Sequence, residues 1–368
     1  MRFLILSGST GGGHNSAAMA IKDYFEQVGA QCHIKDALNF CSESKAYIIN
    51  NGHVFIYKRA PKLFGACYRF LEKRPVDEDS KSLMYEFITF GAKGLYKYLK
   101  EEKYDAIICT HVFAGMVATA VKKKFGLDLK IYFVATDYTC SPGTYEIDAD
   151  KFFIPHKLLC DEYEGFSIKK EKLVPSGIPV RLEFYKKEEK EKAIKILGLP
   201  KDKEIILLMG GSMGAGPLIK LASLICEKIP ENAHLVAICG NNKKLMKELK
   251  NIPYSNKTIL GYTGRMPLYM DTASIILSKA GGLSSTEALT KHLPLILIDA
   301  VPGCETRNRD FLTSRGFAKT ADGIENLTSI LCDYLENPET IEKTETILER
   351  EFSTISAKII YDNITENL

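Results

Sequence analysis

The sequence has little that points to a metal, a redox couple or a membrane span. Ten cysteines are scattered through 368 residues with no CxxC pair and no Cys/His cluster, so they read as reduced thiols of a cytosolic protein. No apolar run approaches the roughly 20 residues that a spanning helix needs. The opening MRFLILSG holds four strong apolar residues and no cleavage-like region, which makes it a first strand rather than a signal peptide. Net charge is only +3, too small to call for nucleic acid, so any basic site must be local. There is no repeat of 20–50 residues and no GxGxxG. The first glycine loop also misses the Walker pattern, with His14 and Asn15 where Lys and Ser/Thr would stand. An ATPase and a dehydrogenase are therefore both poorly supported.

What is present is alternation. A chain of 368 residues favours two domains. Short apolar runs recur between helical patterns: 2–7, 32–36, 105–110, 130–136 and 151–154, then 204–209, 234–239, 257–262, 274–279 and 294–299. Such runs are what buried parallel strands look like, and their alternation with helices predicts a doubly wound α/β architecture. The set occurs twice. Between the two lies VPSGIPVRLEFYKKEEKEKA, whose prolines, glycine and charge run make the best linker, near 180–200. Near the end Leu348, Phe352, Ile355 and Ile359 fall at i, i+4, i+7 and i+11, the pattern of one amphipathic helix. The expected division is residues 1–185, 186–345 and a C-terminal helix over 346–368 that packs near the domain junction.

Three glycine loops sit where such sheets bind ligands, after a strand and before a helix. GSTGGGH (8–14) follows the first strand, GGSMGAG (210–216) follows EIILLM, and KAGGLSSTEAL (279–289) follows SIILSK. Amides at a helix start favour an anion. In the third loop Gly281 and Gly282 make the turn, Ser284 or Ser285 can cap the helix, and Glu287 lies about one turn in. A carboxylate there can accept two hydrogen bonds from a ribose diol. Two anion-friendly loops with a carboxylate suggest a nucleoside diphosphate. A glycine turn needed only for strand-to-helix packing is the alternative for any one loop.

GSTGGGHNSAA, GIPV (177–180), GGSMGAG, KAGGLSSTEAL and PGCETRN (302–308) occur in that order. The ordered set resembles the diacylglycerol glycosyltransferases of glycosyltransferase family 28, the monogalactosyldiacylglycerol synthases and processive bacterial glucosyltransferases, over almost the whole chain. The resemblance implies a GT-B fold, two Rossmann-like domains facing a central cleft. It implies inverting transfer of glucose or galactose from a UDP-sugar to diacylglycerol, with no bound metal or other cofactor.

Carried over by motif, Gly13, Gly211, Ser212 and Met213, with Gly281, Gly282, Ser284 and Ser285, serve the donor, Glu287 holds the ribose, and Glu305 and Asn308 reach the sugar. Glu305 and Asn308 are three apart and share a helix face. Cys304, Ser141 and Thr144 depart from the residues that relatives often carry there.

Inverting transfer needs a base for the acceptor proton, worth about 10²–10⁴-fold, and histidine titrates near working pH. His14 is the expected base, with Asp137 its rival or its orienting partner. A histidine that caps the helix or binds a phosphate is the other reading of His14. His111, after DAIICT, is either an acceptor-site residue or a packing histidine. Asp148-Ala149-Asp150 spells DxD but reads as surface charge.

Residues 53–74 mix Phe55, Tyr57, Phe64, Tyr68 and Phe70 with Lys58, Arg59, Lys62, Arg69, Lys73 and Arg74. That mixture suits an anionic membrane surface. It makes Phe55, Tyr57, Lys58, Arg59, Lys62, Phe64, Tyr68 and Arg69 the acceptor and membrane candidates. An ordinary amphipathic helical pair is the other reading. The expected location is the inner face of the cell membrane, peripherally bound from the cytoplasm. Transfer to a polyprenyl-linked acceptor, a UDP-sugar 2-epimerase-like isomerase and a UDP-sugar-sensing regulator stay open as alternatives.

Overall fold

The computed structural model describes residues 1–8, 12–41, 65, 68, 85, 86, 89–211, 217–228, 231–321 and 324–368. Two compact units account for the chain: Met1–Leu182 with Val301–Arg307 and Ile355–Leu368, and Glu183–Ala300 with Asn308–Thr354.

In the first unit β1 (Arg2–Ser7), β2 (Gln31–Asp36), β3 (Ala106–Cys109), β4 (Lys130–Val134), β5 (Lys151–Ile154) and β6 (Leu173–Pro175) form one sheet. All its pairings are parallel, in the order β2-β1-β3-β4-β5-β6. The helices are α1 (Gly12–Gln27), α2 (Ala92–Glu101), α3 (Val112–Phe125) and α4 (Cys160–Gly165). The chain moves outward from β1 to β2, then crosses to the other side of β1 to lay down β3. Strand order therefore reverses between β1 and β3, the place where doubly wound sheets bind ligands.

The second unit builds β7 (Glu204–Met209), β8 (Ala233–Ile238), β9 (Lys257–Leu260), β10 (Ala273–Lys279), β11 (Leu295–Asp299) and β12 (Lys319–Thr320). They are again all parallel, in the order β12-β11-β10-β7-β8-β9. This is the Rossmann order, and its reversal lies between β7 and β10. Its helices are α5 (Lys190–Leu197), α6 (Leu218–Lys228), α7 (Lys243–Lys250), α8 (Met266–Thr272) and α9 (Gly282–Thr290), then α10 (Cys304–Ser314), whose residues up to Arg307 are grouped with the first unit, α11 (Ile324–Glu336) and α12 (Pro338–Phe352). One more helix, α13 (Ser356–Glu366), returns to the first unit.

All ten apolar runs read from the sequence are strands. Two of the four edge strands, β6 and β12, escaped that reading. They are three and two residues long, and neither is fully buried, so neither shows an apolar run. The linker expected near 180–200 is narrower: Lys190–Leu197 is helical, with Ala193 and Ile194 buried.

The C-terminal segment is corrected too. The i, i+4, i+7, i+11 pattern is not one helix but two, because α12 stops at Phe352 and Ile355 is the extended cap of α13. Leu348 and Phe352 are buried on the second unit's α12, whereas Ile360 and Ile364 complete the first unit's core with Phe3, Ile21, Phe25 and Phe153. A serine and a threonine at 353 and 354 interrupt the apolar face, and each helix docks on its own unit.

A buried ion pair tightens the second unit. Lys291 Nζ lies 2.7 Å from Asp271 Oδ1, with side chains 2% and 4% exposed, and it also bonds the Lys186 carbonyl. Burial pushes the Asp271 carboxyl up, against the opposing pull of Lys291. Desolvation wins at this pair.

Candidate active site

The first site grows from the carboxyl ends of β1, β3 and β4. The helix begins earlier than the glycine loop suggests: Gly12 and Gly13 already lie in α1, so His14 sits in its first turn. Ser7 Oγ donates to Asn15 Oδ1 at 2.6 Å and ties that turn to β1. His14 Nδ1 lies 3.0 Å from the Thr110 carbonyl oxygen and 2.8 Å from Thr136 Oγ1. Thr110 Oγ1 donates in return to the His14 carbonyl at 3.2 Å. A carbonyl only accepts, so Nδ1 carries the hydrogen, and in the neutral ring Nε2 is the basic nitrogen.

His111 stands beside it. The two rings are 4.5 Å apart at 76°. His111 is 8% exposed and caps α3, its Nδ1 accepting from the Phe113 amide at 3.0 Å. The sequence left His111 between acceptor contact and packing residue. Its ring meets those of His14 and Phe113, the latter at 4.6 Å.

Asp137 follows Thr136 at the end of β4 and is half-buried. The loop that carries it is pinned from α4. Glu162 accepts from Thr139 Oγ1 at 2.5 Å and from the Cys140 amide at 2.8 Å, and Tyr163 Oη donates to the Thr139 carbonyl at 3.1 Å. Burial pushes the Tyr163 phenol well up and keeps it a donor.

The second site lies at the β7/β10 reversal. Gly211, after β7, has φ +68°, and a Cβ there would sit 3.3 Å from Lys279 Cε. Glycine tolerates both the angle and the contact. Lys279 ends β10 and is 9% exposed. A single lysine closing an apolar strand gives no sequence pattern to find it by.

Neither serine caps α9, contrary to expectation. Gly281 is the extended N-cap and accepts no cap bond through a side chain, while Ser284 Oγ turns back to the Gly281 carbonyl at 3.3 Å. The serines stand inside the helix, where their hydroxyls cannot reach forward to its first amides. Ser278 and Ser285 hydroxyls are buried with no protein partner among the described residues. Glu287 is half-buried in α9.

On α10, Glu305 is buried and accepts the Val301 amide at 2.9 Å. Asn308 is wholly buried and donates through Nδ2 to the Ala280 carbonyl at 2.9 Å, bracing the loop ahead of α9.

Several candidates lie outside the described residues: Ser212 and Met213, and Phe55, Tyr57, Lys58, Arg59, Lys62, Phe64 and Arg69 of the basic-aromatic stretch. Tyr68, the described member of that set, is half-buried. Among the described residues no helix is long and apolar enough to cross a membrane. Nor do three His, Cys, Asp or Glu side chains gather there as a metal would need. Asp148 and Asp150 are engaged structurally. Asp148 lies 3.4 Å from Lys122 and 3.8 Å from Lys172, and Asp150 accepts from the Ile131 amide at 2.9 Å and from Lys130 at 3.0 Å.

Residues 14–180 match the family described as monogalactosyldiacylglycerol (MGDG) synthase, and residues 205–302 match the glycosyltransferase family 28 C-terminal domain. The chain belongs to glycosyltransferase family 28. This glycosyltransferase is 27% identical over 98% of its length to a processive diacylglycerol beta-glucosyltransferase of Staphylococcus epidermidis, covering 92% of that protein. It is 28% identical over 85% of its length to a probable chloroplastic monogalactosyldiacylglycerol synthase of rice, covering 64% of that longer chain.

Among solved structures, Acinetobacter baumannii MurG matches the glycosyltransferase with a TM-score of 0.64 at 16% identity, each chain 99% covered. A Neisseria meningitidis UDP-GlcNAc 2-epimerase bound to UDP-GlcNAc matches with 0.63 at 15% identity, both chains fully covered. At such identities these two speak for the GT-B fold alone.

Proposed function

We propose that this glycosyltransferase moves glucose or galactose from a UDP-sugar to the free hydroxyl of diacylglycerol at an anionic membrane surface, giving a β-linked glycolipid, with repeated transfer to its own product. The observation that carries the reading is the anchoring of His14 through Nδ1 at the first strand-order reversal, which presents Nε2 as a base. The relatives' names support the choice of acceptor.

In this reading Nε2 takes the acceptor proton as the lipid oxygen bonds to the anomeric carbon. The bond from that carbon to the diphosphate oxygen breaks on the opposite face, UDP departs with the electron pair, and configuration inverts. Asp137, one residue beyond Thr136, is the alternative base. The leaving diphosphate is met by amides at the start of α9 and after Gly211, with Glu287 on the ribose and Glu305 and Asn308 toward the sugar. A phosphate oxygen is the kind of acceptor the Ser278 and Ser285 hydroxyls lack among the described residues. Positive helix ends and backbone amides can stabilise that charge without a metal, so transfer is expected to survive chelation. Residues 53–74 supply the membrane contact.

The test is purified protein with radiolabelled UDP-glucose or UDP-galactose and vesicles of diacylglycerol in anionic phospholipid. Labelled lipid from either donor supports the reading, and none from either overturns the lipid acceptor. Conversion of the nucleotide sugar without lipid would point to an isomerase instead. His14→Ala is expected to keep UDP affinity and lose about 10²–10⁴-fold in turnover. Retained turnover would move the base to Asp137.

A further inference from the structure

We propose that His111 is a positioning residue that acts through His14. The proposal rests on the reading that His14 is the base. The single Nδ1 hydrogen, shared between the Thr110 carbonyl and the Thr136 hydroxyl oxygen as acceptors, fixes one edge of the His14 ring. Alone it leaves the ring able to swing about that edge, and a swing carries Nε2 sideways. The His111 ring stands against it edge-to-face at 4.5 Å and 76°, and so blocks the swing.

His111 is itself immobilised from two directions. Its Nδ1 accepts the Phe113 amide at 3.0 Å, which sets the ring orientation and leaves its hydrogen on Nε2 in the neutral form. From another direction the Phe113 ring meets it edge-on at 4.6 Å and 65°, and His111 fills the space that a Cβ at residue 8 would need, 2.9 Å from its Cγ. A side chain there would push the ring, so glycine at the end of β1 is part of the same device. The chain thus spends a glycine, a helix cap and a second imidazole on the placement of one nitrogen. Reacting groups displaced by about 1 Å lose on the order of 10²-fold in rate, which is the scale this contact governs.

Two variants separate the cap from the ring. In His111→Asn the amide oxygen keeps a good helix cap and the ring is gone, whereas His111→Phe keeps a ring and loses the cap acceptor. Each is measured by turnover, by calorimetric UDP affinity, and by the ring-nitrogen chemical shifts of His14 in protein labelled with ¹⁵N-histidine.

The expected result for His111→Asn is a turnover about 10- to 100-fold lower, UDP affinity within about twofold of wild type, and His14 nitrogen shifts moved from a single tautomer toward an average. His111→Phe is expected to retain most turnover and the wild-type shifts. Gly8→Ala, which presses the same ring from behind, is expected to fall with His111→Asn. Wild-type turnover and unchanged His14 shifts in His111→Asn would reduce His111 to a cap and overturn the proposal. A fall in UDP affinity instead would make it a donor contact and overturn it equally. Should His14→Ala retain transfer, the base assignment falls, yet the His14 shifts in His111→Asn still decide whether one ring holds the other.

Discussion

Single residues at the first site owe their chemistry to partners that arrive from distant strands. His14 could be picked from its glycine loop, because a titratable group in a strand–turn–helix loop is visible in sequence. Thr110 and Thr136 could not, since nothing in a threonine at the end of an apolar run says that its carbonyl or hydroxyl oxygen meets an imidazole 96 or 122 residues away. Thr136→Val tests that partnership. Loss of the hydroxyl leaves Nδ1 on the Thr110 carbonyl alone, and turnover is expected to fall about tenfold, the cost of roughly one net hydrogen bond, while calorimetry shows unchanged UDP affinity.

Asp150 illustrates a residue whose sequence motif misleads. Burial raises its carboxyl, but the Ile131 amide and Lys130 more than offset that and hold it below the ordinary aspartate range. A carboxylate depressed in the folded state stabilises fully above the unfolded value of about 3.9. That contribution is lost as pH falls through the lower folded value. Urea midpoints of wild type are therefore expected to drop between neutral pH and about pH 3. Asp150→Asn should show a lower midpoint at pH 7 and a shallower drop.

At the scale of elements, legibility tracked burial. Strands such as β3 and β8, buried at every position, announce themselves as unbroken apolar runs, but the strand order with its two reversals comes from the pairing between them. β6 and β12 lie at sheet edges and are only three and two residues long, too short to show a run, whereas the longer edge strands β2 and β9 do show one. The C-terminal pattern failed for a different reason. Helical periodicity records that a face is apolar, but not which body it packs on, so two helices with separate docking partners read as one.

The buried Lys291–Asp271 pair is the sharpest test of element packing, because Lys291 closes α9, Asp271 lies in α8, and the Lys186 carbonyl brings in the chain before α5. Lys291→Met strands the Asp271 carboxyl without its cation and is expected to cost about 3–5 kcal/mol in denaturant unfolding. Lys291→Met combined with Asp271→Leu should recover most of that loss, since an apolar pair carries no desolvation penalty.

At the scale of the whole molecule, the two-fold repetition of α/β alternation was the most legible feature, and the grouping of distant segments the least. Residues Ile355–Leu368 belong with the first unit. Ser356 Oγ donates to the Gly177 carbonyl at 2.8 Å, and the Tyr361 ring meets Phe25 at 4.9 Å. Removal of residues 355–368 uncovers a core that includes Phe25 and Ile21. Calorimetric melts are expected to show the first unit unfolding at lower temperature while the second keeps its UDP-stabilised transition. A single undisturbed transition would refute the grouping.

That grouping also sets a timetable for biosynthesis. The sheet from β1 to β6 is synthesised before the second unit, yet its core lacks Ile360 and Ile364 until α13 has followed that unit off the ribosome. At about 5–20 residues per second, the nascent first sheet waits many seconds with an uncovered apolar face, while the whole of the later sheet emerges and can fold. The earlier-made half is thus the later-finished one, and translation speed or chaperone supply between β6 and α13 is expected to set the yield of its folded form.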